Sequence, residues 1–283
     1  CGHVLAQRAV VAPPKREGAL TKLARQVEPD LAGDISRLSQ YVDFFRSRLA
    51  NDTRLFAFEV QAVPIDDGRV ALEGYVEFSQ TRDGLIRFLE RLGFEISDDR
   101  LELLPDDALG EKRFGLVRTS HTLSYSQPSE PRSVVTDCLL GEPLYLLREV
   151  DDHLLVHSGE GYLGYVAAAD VFRVSAEAFN RYPSDCCVRL LVDHQVESGL
   201  VVPAGALLKQ ISSGQGAIEC ALPTGESVKL PESICQASAL PMERIDRAIS
   251  AGKQMLGVPY HWGGKTSRGI DCSGLVQVAL EAA

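Results

Sequence analysis

Near its C-terminal end the chain reads Gly257-Val258-Pro259-Tyr260-His261-Trp262-Gly263-Gly264, followed shortly by Gly269-Ile270-Asp271-Cys272-Ser273-Gly274-Leu275-Val276-Gln277. A stretch so dense in glycine, with a proline in it, reads as a tight turn. Beyond Cys272, Leu275, Val276, Ala279 and Leu280 recur at helical spacing, so the turn feeds a helix that the cysteine opens. Unpaired backbone N–H groups and the positive end of the helix dipole favour a thiolate at such a position. Cys272 is therefore a candidate nucleophile, and Ser273-Gly274 behind it leave room for a substrate. A lone cysteine at a turn–helix junction is more often a buried structural thiol, so the surrounding motif has to carry the reading.

That motif, Pro-Tyr-x-Trp-Gly-Gly followed by Asp-Cys-Ser-Gly-Leu-Val, resembles the active-site segment of the NlpC/P60 family of cell-wall cysteine peptidases. The resemblance implies a papain-like α+β domain from about residue 241 to 283 and a cysteine endopeptidase acting on murein (peptidoglycan) stem peptides. It implies no metal and no organic cofactor. In the family branch that carries SH3-like domains, the bond cut joins γ-D-glutamate to a diamino acid, in peptides with a free N-terminal L-alanine. The tyrosine and aspartate matching Tyr260 and Asp271 there line the subsite for the substrate's N-terminus, and Ser273 lies beside it. A carboxylate at Asp271 would pair with an ammonium group. The plainer role for Asp271 is that of a helix N-terminal carboxylate favouring the dipole, and the two roles are compatible.

The 283 residues suffice for several domains. A hydrophobic content of 45% and a charged content of 24% are those of an ordinary globular protein. The net charge of −10 argues against nucleic acid as a partner and gives no cause for attraction to anionic lipid. Cys1-Gly2 fits the start of a mature bacterial lipoprotein, with Cys1 lipidated and residues 1–28 a tether; a chance start at that residue is the alternative. The expected location is the cell envelope or periplasm, with membrane contact only through Cys1. None of the seven cysteines forms a Cys-x-x-Cys pair, which speaks against zinc. Cys220 and Cys235 fall in one expected domain, where pairing is open.

The expected architecture is multidomain α+β. Residues 29–112 form a small α/β domain of order helix-strand-strand-helix-strand. Asp34 caps the first helix, whose apolar face is Ile35, Leu38, Val42, Phe45 and Leu49. Strands follow at 54–63 and, after the Asp66-Asp67-Gly68 turn, along Val70, Leu72, Val76 and Phe78. A helix through Leu85, Phe88, Leu89 and Leu92 is closed by Gly93, and a strand covers 95–104. This order is faintly similar to a BON domain, which implies packing or spacing and no chemistry. Residues 113–176 break into short strands and are similar to a bacterial SH3-like barrel. Residues 182–238 read as a second such unit. His153 and His157 share one side of a strand, with no third ligand in view, and read as exposed strand histidines. Met242, Ile245, Ala248, Ile249, Gly252, Met255 and Leu256 mark one face of a helix that Gly257 closes.

A cysteine nucleophile needs a base, usually histidine. In the family that base and a third polar residue follow the nucleophile, on strands of the sheet its helix packs against. All six histidines here precede Cys272. His261, at a variable position of the motif, reads as a spacer. The expectation is thus a fragment of a longer peptidase, inactive as it stands, with a non-catalytic wall-binding protein as the rival.

Overall fold

The computed structural model of the chain describes residues 35–50, 52–66, 68–181, 187–236 and 241–282. Cys1, the tether and the Asp34 cap lie outside them. The chain divides into two compact units whose border falls between Ala108 and Leu109, and each stands by itself below. Among the described residues, no helix is long and apolar enough to cross a membrane.

In the first unit, a short 3-10 turn, Ile35–Arg37, leads into helix α1, Leu38–Leu49. Strands β1, Phe58–Asp66, and β2, Arg69–Val76, form an antiparallel hairpin, followed by helix α2, Ser79–Arg91, and strand β3, Glu95–Leu103. β2 lies between β1 and β3 and runs parallel to β3. The α2 crossover supplies the length that parallel pairing needs. Leu38, Val42, Phe45 and Leu49 of α1 are buried with Leu85, Phe88 and Leu89 of α2 and with Val70, Leu72 and Val76 of β2. Each large apolar side chain in such a core contributes about 1.5–3 kcal/mol.

Two local readings are corrected here. Residues Thr53–Leu55 form a 3-10 turn, not the start of a strand. The Asp52 carboxylate accepts from the Arg54 amide at 3.0 Å and grips its guanidinium at 2.8 Å, a local bond that competes with extension. Phe78 is not in β2 but occupies the N-cap position of α2.

The second unit opens with β4 (Phe114–Val117), β5 (His121–Tyr125), β6 (Val134–Leu139), β7 (Pro143–Val150), β8 (His153–His157), β9 (Leu163–Ala167) and β10 (Val171–Val174). These pair in the order β10-β4-β7-β8-β9-β5-β6. Their core includes Val117, Leu144, Leu146, Leu154, Val156 and Val166. His157 is buried, contrary to the sequence reading, with its ring nitrogen Nδ1 at 3.0 Å from the Gly161 carbonyl. That carbonyl offers a partner the alternation pattern does not show.

After helix α3, Ala176–Arg181, come β11 (Cys187–Leu190), β12 (His194–Gln195), β13 (Val201–Val202), β14 (Leu207–Gly214), β15 (Ala217–Ala221), β16 (Ser227–Pro231) and β17 (Cys235–Gln236). Five of them form a sheet of order β16-β15-β14-β11-β17, and β12 pairs with β13. No disulfide joins Cys220 to Cys235. Helix α4, Pro241–Gln254, ends two residues before the apolar pattern does, in a turn closed by the Val258 amide on the Met255 carbonyl. The segment closes with the hairpin β18 (Lys265–Thr266) and β19 (Gly269–Ile270) and with helix α5, Cys272–Glu281.

Candidate active site

Asp271 is the N-cap of α5, in the extended conformation a cap requires. Its Oδ1 accepts from the Gly274 amide at 2.7 Å and from the Ser273 hydroxyl at 2.8 Å. Its Oδ2 accepts from the Gly263 amide at 2.8 Å, which ties the helix start back to the Gly263-Gly264 turn. Burial opposes the charge on Asp271, yet these donors outweigh it and hold the carboxyl below the usual aspartate value. The plainer role given to Asp271, a helix cap, is thus visible directly.

The cap leaves Cys272 as the first residue of α5, and its side chain is exposed. Gly274 is required for close approach: a Cβ there would lie 2.2 Å from the Gly264 carbonyl oxygen. Gly263 has φ of +74°, a conformation glycine adopts without strain. The turn runs through His261, whose amide donates to the Ile270 carbonyl at 3.2 Å and whose carbonyl accepts from Gly264 at 3.0 Å. The His261 side chain packs against Gly269, where an added Cβ would meet its own Cβ at 2.5 Å. Tyr260, paired as an isolated bridge with Ile270, is 67% exposed. Tyr260, Asp271, Cys272 and Ser273 therefore share one short loop and helix start.

The contacts that hold this loop were invisible in the sequence. The Trp262 indole N–H donates to the Val134 carbonyl at 3.0 Å. The Lys265 ammonium is buried between Glu142, at 3.3 Å, and Glu160. Burial opposes its charge, but the two carboxylates prevail and keep its pKa above the ordinary lysine range. Glu142 moves up as well, chiefly through burial, with Glu160 competing for the same ammonium. The Ser267 hydroxyl donates to Asp193, whose other oxygen accepts from the Ala204 amide at 2.8 Å. Beside the hairpin, His121 Nδ1 lies 2.8 Å from the buried Asp137 carboxylate. That bond raises the imidazole pKa despite partial burial. No group of three or more His, Cys, Asp or Glu side chains suited to a metal occurs among the described residues.

Residues 257–283 match the NlpC/P60 family model. Among solved structures, an NlpC/P60 family protein from Bacillus cereus shares 18% identity, with a TM-score of 0.49; the alignment covers 60% of this chain and 72% of that one. An NlpC/P60 endopeptidase from Photobacterium damselae subsp. piscicida shares 16% identity, with a TM-score of 0.45, over 63% of this chain and 45% of that one. NlpC2 from Trichomonas vaginalis shares 15% identity, with a TM-score of 0.25, over 60% and 66% of the two chains. The chain thus spans less than half the length of the second of these. The family match coincides with the loop and helix start that carry Tyr260, Asp271, Cys272 and Ser273, so the likeness to the NlpC/P60 family falls on the candidate site itself.

Proposed function

We propose that the chain serves a cell-wall cysteine peptidase whose nucleophile is Cys272 and whose substrates are murein stem peptides. The observation that carries this reading is the exposure of Cys272 at the first position of α5, beside a buried, hydrogen-bonded Asp271. A helix start held in this way presents sulfur and backbone dipoles to one incoming carbonyl.

In the proposed reaction the Cys272 thiolate attacks the γ-D-glutamyl carbonyl carbon, and a tetrahedral oxyanion forms. Collapse breaks the C–N bond, and the amine of the diamino acid leaves with a proton. Water then attacks the thioester, releasing the free γ-carboxyl and restoring the thiol. The Ser273 and Gly274 amides are committed to the Asp271 carboxylate and the Leu275 amide to the Asp271 carbonyl, so oxyanion stabilisation falls to the Cys272 amide itself. Tyr260, Ser273 and the negative charge of Asp271 form the subsite for the ammonium of an N-terminal L-alanine. The seven- and five-stranded sheets are read as SH3-like domains that wall the cleft and set specificity, in an exported protein.

The test is mass spectrometry of muropeptides incubated with the product of the whole coding sequence. Cleavage after γ-D-glutamate that Cys272→Ala abolishes supports the proposal. Binding to insoluble murein without cleavage, unchanged by Cys272→Ala, replaces it with a wall-binding protein.

A further inference from the structure

We propose that Lys265 is a positioning residue for Cys272, clamped at its ammonium by Glu142 and Glu160 and bearing through its methylene stem on the first turn of α5. The proposal rests on Cys272 being the nucleophile.

The clamp end is built from turns of the seven-stranded sheet. Glu142, beside the β6–β7 turn, accepts from the Leu139 amide at 3.0 Å through Oε2 and from the Gly159 amide at 3.0 Å through Oε1. Glu160, between β8 and β9, accepts from the Thr136 hydroxyl at 3.3 Å. Both carboxylates are therefore fixed before the lysine arrives, and the ammonium is the cation they share. The Lys265 side chain is only 5% exposed. A buried charge persists only where partners of this kind satisfy it, so its burial fixes the position of the whole side chain.

The other end meets the nucleophile. The Lys265 Cγ lies 3.1 Å from the point a Cβ on Gly274 would occupy, so the stem fills the space that residue leaves. Gly274 is two residues past Cys272, and its amide is one of those the Asp271 carboxylate holds. A displacement of the stem passes to Gly274, then to Asp271 and Gly263, and so to the sulfur. Apolar packing offers little else here: Ala204, Met255, Ile270 and Val278 are the buried members of the neighbouring cluster.

The experiment reads positioning and reactivity separately on the full 283-residue chain. Positioning is read as hydrogen exchange at the Gly263 and Gly274 amides, and reactivity as the rate of Cys272 alkylation by iodoacetamide at neutral pH, resolved by peptide mass. In Lys265→Met both amides exchange about tenfold faster, a local opening that leaves the β7 and β8 amides protected. Cys272 alkylation slows, and Lys265→Arg restores part of both signals. Unchanged exchange at Gly263 and Gly274 in Lys265→Met overturns the proposal. If that variant loses protection in β7 and β8 as well, Glu160→Gln decides. It leaves Glu142 to neutralise the lysine and should open the same two amides to a smaller degree, and no opening overturns the proposal. A wild-type Cys272 that alkylates no faster than in the denatured chain overturns the premise instead. Intact coupling of the amides to Lys265 then marks that failure as one of nucleophilicity and not of positioning.

Discussion

Helices α1 and α2 of the first unit and helices α4 and α5 of the second carry apolar residues at the same three- and four-residue spacing, yet these meet opposite fates. In the first pair the stripe closes over a sheet, and Phe88, Leu85 and Leu89 lose all contact with solvent. In the second pair Ile245 is 68% exposed and Ile249 is 51% exposed, Val276 and Leu280 stay largely in water, and so does Leu256 in the turn that follows α4. The difference lies in what holds each pair. Burial stabilises α1 and α2, as the hydrophobic effect does in most domains. The start of α5 is instead held by named polar contacts: the Asp271 cap, the Trp262 bond, the lysine clamp and the Ser267 bond. Helical periodicity locates an apolar face and is silent about what covers it.

The sharpest way to break this contrast is to remove apolar atoms from the first unit. Phe88→Ala should cost about 3–5 kcal/mol, because a fully buried ring leaves a cavity its neighbours fill only in part. Urea unfolding followed by a probe in that unit measures it, and a loss below about 1 kcal/mol would show that the core is looser than its burial implies.

Next in size is the polar hold itself. Asp271→Ala removes a cap that satisfies two amides and a hydroxyl, and should cost about 1–2 kcal/mol, read as lost protection of the Gly274 amide. The Asp271 carboxyl lies below its ordinary 3.8 when folded, so its contribution is present above that value and fades as pH falls through the folded value. Wild type and Asp271→Ala should therefore converge in strong acid.

His121 has the opposite sign. Its folded pKa is raised above the usual 6.5 by Asp137, so its contribution is complete below 6.5 and is lost as pH rises through the folded value. Given partial exposure, the difference between wild type and His121→Asn should be about 1 kcal/mol in mild acid and shrink in mild alkali. Thermal melts across that range decide it. A difference that grows with pH would mean the imidazole is neutral when folded.

The smallest effect completes the comparison. Ile245→Ser and Leu256→Ser should each change stability by no more than about 0.5 kcal/mol, since neither side chain is removed from water on folding. A larger loss in the chain's own melt would mean that something covers α4, or the turn that follows it, in solution.

The first unit was legible because its signals are local. The turn after Asp66 sits at Gly68, with φ of +80°, and sets Leu72 opposite Ala62. Gly93, with φ of +100°, closes α2, its amide returning to Glu90 and that of Phe94 to Leu89. The Asp-Cys-Ser-Gly run was legible as a helix start for the same reason, since the Asp271 cap and the close-approach glycine Gly274 are neighbours in sequence. The 3-10 turn at Thr53–Leu55 was missed because the Asp52 side chain, not apolar alternation, decides that stretch. Lys265 was passed over because its partners lie 105 and 123 positions away. A lysine between glycine and threonine gives no sign that it will be buried, and pairs so distant leave no periodic trace.

The anchors of the cysteine hairpin have a mechanical consequence. Trp262 is fastened to Val134, Lys265 to the two glutamates, and Ser267, beyond β18 at the hairpin's tip, to Asp193. A rigid body pinned at two points still swings about the line between them, and a third pin off that line stops the swing. Ser267 supplies that pin from Asp193, which lies between two strands, β11 and β12, that take no part in the seven-stranded sheet. Without it the hairpin becomes a door on two hinges, and the sulfur sweeps an arc where it now occupies a point.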